Sequence, residues 1–329
     1  MNNLINHKKI LVFTNDAGAS AYICSIILNE SKFFNWIVYA IDNSPASKEF
    51  ERNQISYTKF FLLDEINEII KKKQPDVILY GTGWLNFSDI VKENAKKYDI
   101  KTVALVDHWV RYRFRFSNNA LPDAILVMDD IANKIAIDTF NSEVTIFQIK
   151  NYYIENIRSH YALMKKEMRD YVVFISEPTK VVENDDLNFN VFEYTFLEDI
   201  LKKFDKVIIR LHPTESKDKY DGVISKFPKV NVKVVEPYEE NLATTLSKSK
   251  LTIGIGSTAL YVSYLLGIKT ISYIPNRYIE PSIPLPKKYI LTNLEDLKTL
   301  QFSDSKRIDF DSRAIPFYEM INSFLTRTN

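Results

Sequence analysis

The chain has 329 residues, with 43 Lys and Arg against 42 Asp and Glu, for a formal net charge of +1. At roughly 100–200 residues per domain this length predicts two domains, and the near-neutral balance supplies no global field to draw the protein onto nucleic acid. Hydrophobic residues at 46% and charged residues at 26% belong to a packed protein, not a disordered one.

No run approaches the roughly 18 apolar residues of a membrane span. The single cysteine, Cys24, lies in an apolar helical run and cannot form an internal disulfide, which suits a reducing compartment. Asn and Lys at the N-terminus lead straight into a strand-like run without a secretory pattern. The expectation is a cytoplasmic protein. Lys-rich surface helices are compatible with peripheral contact at the inner membrane face.

In chain order the pattern is strand, turn, helix, repeated. Ile10–Phe13, Trp36–Ala40, Val77–Tyr80, Thr102–Val106 and Ala124–Val127 read as buried strands. Helical stretches lie between them: the segment ending at Leu28, Asp64–Lys73 and Phe87–Tyr98. Strands apolar on both faces and alternating with helices imply a parallel sheet covered on both sides. A charged helical connector follows at Tyr152–Arg169, and the pattern restarts with Tyr171–Ile175, Lys206–Arg210, Val232–Val235, Leu251–Gly254 and Thr270–Tyr273. Glu183–Asn190 and Pro281–Pro286 read as loops, and Ser312–Leu325 as a closing helix. The expected organisation is a first domain at 1–150, a connector at 151–169, a second domain at 170–311 and the closing helix at 312–329. The fold class is α/β: two facing Rossmann-like domains with an interdomain cleft.

In open α/β sheets ligands bind beyond the carboxyl ends of the strands. Gly256-Ser257-Thr258 follows the strand Leu251–Gly254 and opens a helix, whose free N–H groups and dipole favour a phosphate. Arg210-Leu-His212-Pro213 closes another strand. Alternation places Arg210 and His212 on one side, and Pro213 holds His212 extended. Glu177 follows the first strand of the second half, and with Arg210, Pro213, Gly256, Ser257 and Thr258 it is expected to bind the nucleotide.

In the first half, Asp107-His108-Trp109 follows a strand, and Asp107 there suits a general base for a sugar hydroxyl. The segment runs on through Arg111, Arg113 and Arg115 alternating with aromatics; Arg113 is taken as a sugar contact beside His108 and Trp109. Asp16, before Gly18 in the first strand-mouth turn, is the second candidate base. Gly18 lets that turn close on a ligand. Gly83 in Gly81-Thr-Gly-Trp84 lines the acceptor side. Each position also has a plain reading as a helix cap or turn. His7 and His160 read as surface residues. Metal binding is not expected: there is no His-x-x-x-His pair or Cys cluster, and Asp309-Phe-Asp311 is the sole Asp-x-Asp.

Arg210-Leu-His-Pro213 followed by Gly256-Ser257-Thr258 at a helix start resembles the C-terminal half of bacterial GT-B glycosyltransferases. The pattern is most similar to sialyltransferases and related enzymes that use CMP-linked nonulosonic acids (sialic, pseudaminic or legionaminic acid) or CMP-Kdo, and it also resembles CDP-glycerol polymerases. The resemblance implies that the two Rossmann-like domains are of GT-B type, 1–150 being the acceptor side and 170–311 the nucleotide-sugar donor domain. It also implies that His212, Ser257 and Thr258 contact the donor phosphate, and that an aspartate of the N-terminal half, Asp107 here, acts as base. Sialyltransferases often carry an acidic-acidic-Gly base motif, and this chain has Asp107-His-Trp109 in its place. The expectation is an inverting, metal-independent glycosyltransferase without a cofactor. It would move a sugar, read as a nonulosonic acid from a CMP donor, to a glycan or other surface-polysaccharide acceptor. Two alternatives stand: a sugar-nucleotide epimerase or hydrolase of GT-B-like fold, and a non-catalytic nucleotide-sugar-binding subunit.

Overall fold

A computed structural model describes residues 7–82, 87–116, 120–164, 169–177, 189–274, 281–301 and 314–326. The chain forms two compact units, Met1–Asn156 with Phe310–Asn329, and Ile157–Asp309.

The first unit is built on seven strands: β1 (Lys9–Thr14), β2 (Asn35–Ile41), β3 (Thr58–Phe60), β4 (Val77–Gly81), β5 (Lys101–Leu105), β6 (Ala124–Val127) and β7 (Thr145–Gln148). All pair in parallel, in the order β3-β2-β1-β4-β5-β6-β7. Ile10–Phe13 and Val77–Tyr80 have no exposed surface, as befits central strands packed on both faces. Helices α1 (Ala17–Glu30), α2 (Pro45–Arg52), α3 (Glu65–Lys73), α4 (Phe87–Lys96) and α5 (Asp130–Phe140) make the crossovers. Their starts are sequence-encoded: Asp16, Ser44 and Asp129 each accept a backbone N–H of the first turn of α1, α2 and α5.

The helix α6 (Tyr152–Leu163) spans the boundary between the units. The second unit has six strands: β8 (Tyr171–Ile175), β9 (Lys206–Arg210), β10 (Asn231–Val235), β11 (Ser249–Gly254), β12 (Thr270–Tyr273) and β13 (Ile290–Leu291). They are parallel in the order β10-β9-β8-β11-β12-β13. Its helices are α7 (Phe189–Lys203), α8 (Asp221–Ile224), α9 (Leu242–Ser247) and α10 (Thr258–Leu265). Phe189 and Asn190, expected at the end of a loop, instead open α7; the remainder of that loop lies outside the described residues, as do Gly83 and Asp309–Asp311.

The final helix, α11 (Phe317–Thr326), returns to the first unit. Phe317, Met320, Ile321 and Phe324 join the core formed by α1 and its strands. The buried Glu30 fixes the docking, because its carboxylate accepts the N–H groups of Phe317 (2.9 Å) and Tyr318 (2.8 Å) and the Tyr152 hydroxyl. A carboxylate on a helix N-terminus satisfies unpaired donors and complements the dipole.

In each sheet the strand order reverses once, between β1 and β4 and between β8 and β11. The chains around the first reversal pass closely: a Cβ on Gly81 would lie 2.6 Å from the Ala19 Cβ and 2.8 Å from Thr14 Oγ1. Such a reversal leaves a crevice at the strand ends where ligands of α/β sheets bind.

Candidate functional site

At the first reversal β1 delivers Asn15 and Asp16, β4 delivers Thr82, β5 delivers Asp107 and His108, and β6 delivers Asp129. Asp16 Oδ1 caps α1 by accepting from Ala19 N at 2.9 Å, while its Oδ2 is buried with no partner among the described residues. Asp107, 6% exposed, lies against the start of α1; a Cβ on Gly18 would stand 2.1 Å from its Oδ2. Burial first, then the negative charge of Asp107, raises the Asp16 carboxyl to about 7. The structure therefore joins the two aspartates that the sequence offered as rival bases into one carboxylate pair. Asp16 is poised to hold a proton at neutral pH.

Arg115 supplies a balancing cation. Arg115 Nη1 lies 3.6 Å from Asp107 Oδ1 and donates to Thr82 O (3.1 Å) and Thr82 Oγ1 (2.9 Å), which ties the mouths of β4 and β5 together. The loop reaches this point through Arg111, held in the left-handed region at φ 59°, and a 3₁₀ turn at Arg113–Arg115. Arg113, the expected sugar contact, instead pairs with Glu143 (Nη1–Oε2 3.0 Å) and lies over the Phe140 ring at 5.3 Å. Trp109 is 7% exposed, and its indole N–H donates to Asp129 Oδ2 at 2.9 Å, so its ring presents little surface for stacking. His108 stays at the mouth with Nε2 3.9 Å from Asp107 Oδ2. Asp129, capping α5, is shifted upward, chiefly by burial. Among the described residues no group of His, Cys, Asp and Glu side chains is arranged to hold a metal ion.

In the second unit β9 delivers His212, and β8 and β11 deliver Glu177 and Gly256-Ser257. Thr214 N–H donates to His212 Nδ1 at 3.3 Å, so the neutral ring carries its proton on Nε2. The His212 N–H is itself held by Glu215 Oε2 at 2.7 Å, and Glu215 Oε1 accepts from Ser176 Oγ at 2.9 Å. Ser257 caps α10 through Ala259 N at 3.1 Å, and Thr258 is the first helical residue. Gly256 has no room for a side chain: a Cβ would lie 2.8 Å from Ser282 Oγ and 2.9 Å from Ser282 N.

Two placements could not be read from the motifs. Arg210 does not face this mouth with His212. It is 6% exposed and donates to Glu240 O (2.9 Å), Thr245 Oγ1 (2.8 Å) and Pro237 O (3.4 Å), holding the chain between β10 and α9. Glu177 lies where an anion was expected at the start of α10, its Oε1 accepting from Gly256 N at 2.6 Å. Burial raises its carboxyl to about 7, against the lowering effect of the Gly256 and Ser257 N–H groups.

The chain matches no protein-family model and no curated protein. Its fold is that of solved nucleotide-sugar enzymes. A UDP-N-acetylglucosamine 2-epimerase from Rickettsia bellii superposes with a TM-score of 0.63 at 12% identity, covering 97% of this chain and 94% of that one. The Neisseria meningitidis UDP-GlcNAc 2-epimerase bound to UDP-GlcNAc gives 0.58 at 12% identity, over 80% and 82% of the two chains. Anabaena HepE in complex with UDP-glucose gives 0.55 at 10%, over 97% and 90%. At such identities the likeness is one of fold, and the fold is GT-B: two Rossmann-like domains, each a parallel sheet covered by helices.

Proposed function

We propose that the protein is a nucleotide-sugar enzyme that converts the sugar without an acceptor, as an epimerase or hydrolase, with Asp16 and Asp107 as its acid and base. The observation that carries this is the carboxylate pair. Two adjacent carboxyls whose environments set them apart, one holding its proton to about 7 and the other beside Arg115, suit the giving and taking of protons in one turnover. In epimerisation Asp107 takes the proton of the sugar C–H bond that breaks, and Asp16 gives one to the same carbon as the new C–H bond forms. In hydrolysis Asp107 takes the proton of the attacking water while the sugar–phosphate bond breaks and the nucleotide leaves with the phosphate. A proton passing from Asp107 to Asp16 through solvent then restores the pair. On sequence grounds this was the alternative, because no convergent carboxylate cluster was visible; the pair, with Asp129 and His108 nearby, is what now favours it. The nucleotide belongs to the second unit, with His212 Nε2–H and the hydroxyls of Ser257 and Thr258 as phosphate donors. UDP is the first nucleotide to test, since three proteins of like fold carry UDP or UDP-sugars in their names.

A second reading is inverting transfer to a glycan acceptor, with Asp107 as base and His212 easing departure of the nucleotide. The His-Pro and Gly-Ser-Thr motifs at the β9 and β11 mouths favour it, and a CMP-nonulosonate donor belongs to this reading. Membrane-proximal acceptors belong to it as well; among the described residues no helix is long and apolar enough to cross a membrane.

The deciding experiment follows UDP-GlcNAc, UDP-glucose and CMP-sialic acid by NMR, each with the protein and no acceptor. Conversion of the sugar in this mixture, abolished by Asp107→Asn, is expected. Consumption that begins only when a glycan is added selects transfer. Binding without turnover in either mixture, unchanged by Asp107→Asn, means a non-catalytic subunit.

A further inference from the structure

Five polar atoms at the mouths of β1 and β5 are buried without a partner among the described residues: Asn15 Oδ1, Asp16 Oδ2, His108 Nδ1, Tyr112 OH and Arg115 Nε. Buried polar groups are rarely left unpaired, and a convergent group of them marks a place where a ligand or ordered water completes the bonding. Tyr112 is 2% exposed, and the charges of Asp129, Arg115 and Asp107 all act on its hydroxyl, so this orphan belongs to the carboxylate cluster. The set is mixed: the Asn15 oxygen only accepts, Arg115 Nε only donates, and the tyrosine hydroxyl does either. Sugar hydroxyls, each both donor and acceptor, match such a set, whereas a carboxylate can only accept.

Among the described residues the carboxylates of the mouth, Asp16, Asp107 and Asp129, outnumber its arginine, Arg115. The charge of Asp107 acts on Asp16, those of Asp129 and Asp107 both act on Tyr112, and Arg115 acts on Asp16 and faces Asp107. Residues 83–86 and 117–119, which flank this region in the chain, contain no charged side chain. Because the groups are buried, salt screens them poorly.

We infer that the mouth of the first unit is a subsite for an uncharged, hydroxylated sugar, and that it discriminates against sugars bearing a carboxylate. This rests on the nucleotide-sugar reading above and narrows it, since it excludes the nonulosonic acids that the sequence motifs suggest.

The test uses UDP-glucose and UDP-glucuronic acid, which share the nucleotide and differ by one carboxylate, with UDP as reference, in calorimetric titrations of the intact protein at pH 7.5. UDP-glucose is expected to bind more tightly than UDP, and UDP-glucuronic acid at least tenfold more weakly than UDP-glucose. In Asp107→Asn that gap is expected to narrow at least threefold. Equal affinities for the two sugars, or CMP-sialic acid binding more tightly than CMP, overturn the inference and leave the nucleotide-sugar reading standing. If neither UDP-sugar nor CMP-sialic acid binds at millimolar concentration, the nucleotide-sugar reading fails and takes the inference with it.

Discussion

Asp107 is seated against the backbone of Gly18, so closely that a methyl group on that glycine would stand 2.1 Å from the carboxylate oxygen Oδ2. The strand-mouth turn after β1 and the residue after β5 therefore depend on one another, although they are far apart in the chain. The absent side chain at position 18 leaves room for the Asp107 carboxylate.

Gly18→Ala is the sharpest probe of that relationship. Gly18 is the second residue of α1, where alanine is favoured over glycine by up to about 1 kcal/mol. The methyl group must displace Asp107, the one side chain it meets below 3 Å. The variant is expected to melt within a few degrees of the parent while losing at least tenfold in kcat. A variant that is both stable and fully active would show that the position of Asp107 does not matter to turnover.

The pH dependence of stability follows from two carboxyls. The folded protein raises Asp16 from 3.8 to about 7 and Glu177 from 4.5 to about 7, chiefly by burying them. The folded state thus holds these protons more tightly than the unfolded chain. The resulting stabilisation is complete below the unfolded values and is lost as pH rises through about 7. Urea midpoints should fall between pH 5 and pH 8, and the fall should be smaller in Asp16→Asn and smallest in Asp16→Asn with Glu177→Gln. Asparagine is also a good N-cap, so α1 keeps its start in the variant. An unchanged slope in the double variant would mean that neither carboxyl carries the shift.

The alternation of strands and helices made both sheets legible, because central parallel strands such as β1 and β4 are continuous apolar runs. Of the edge strands β10 was read, at Val232–Val235, and three were not: Thr58-Lys-Phe60 exposes two of its three residues, Thr145–Gln148 has only Phe147 buried, and Ile290-Leu291 has only two residues. The strand mouths were legible as places, since Asp16, Asp107, His212 and Ser257 all lie on them. Their partners were not. Arg111, Arg113 and Arg115 were read as alternating with aromatics, which puts them on one side, but Arg113–Arg115 is a 3₁₀ turn with three residues per turn; Arg113 pairs with Glu143 and Arg115 faces Asp107. Arg210 shares strand parity with His212, yet the chain leaves β9 at Arg210 and the alternation stops there. Long-range pairs such as Glu177 with Gly256 have no local signature at all.

Arg210 is expected to act on stability and not on the ligand. Its guanidinium bonds to Glu240 O, Thr245 Oγ1 and Pro237 O, and hydrogen bonds to a charged group typically contribute about 1.5–3 kcal/mol. Arg210→Met should cost on the order of 2–4 kcal/mol in urea unfolding. Well below its melting temperature, its affinity for UDP should stay within threefold of the parent. A tenfold loss of UDP affinity with little loss of stability would return Arg210 to the nucleotide site.

The last prediction concerns Glu177, whose carboxylate already accepts the Gly256 N–H that a phosphate at the start of α10 would use. A nucleotide phosphate placed there meets a like charge whenever Glu177 is ionised. With its carboxyl raised to about 7, Glu177 is largely protonated at pH 6 and largely ionised at pH 8. UDP affinity should therefore fall as pH rises from 6 to 8, beyond the change that the phosphate's own ionisation produces. Glu177→Gln keeps an amide oxygen for the Gly256 N–H and removes the charge, so its affinity should exceed that of the parent at pH 8 and approach it at pH 6. Calorimetry at the two pH values decides this. If Glu177→Gln binds UDP more weakly than the parent at both, the carboxylate is a contact for the nucleotide and not its competitor.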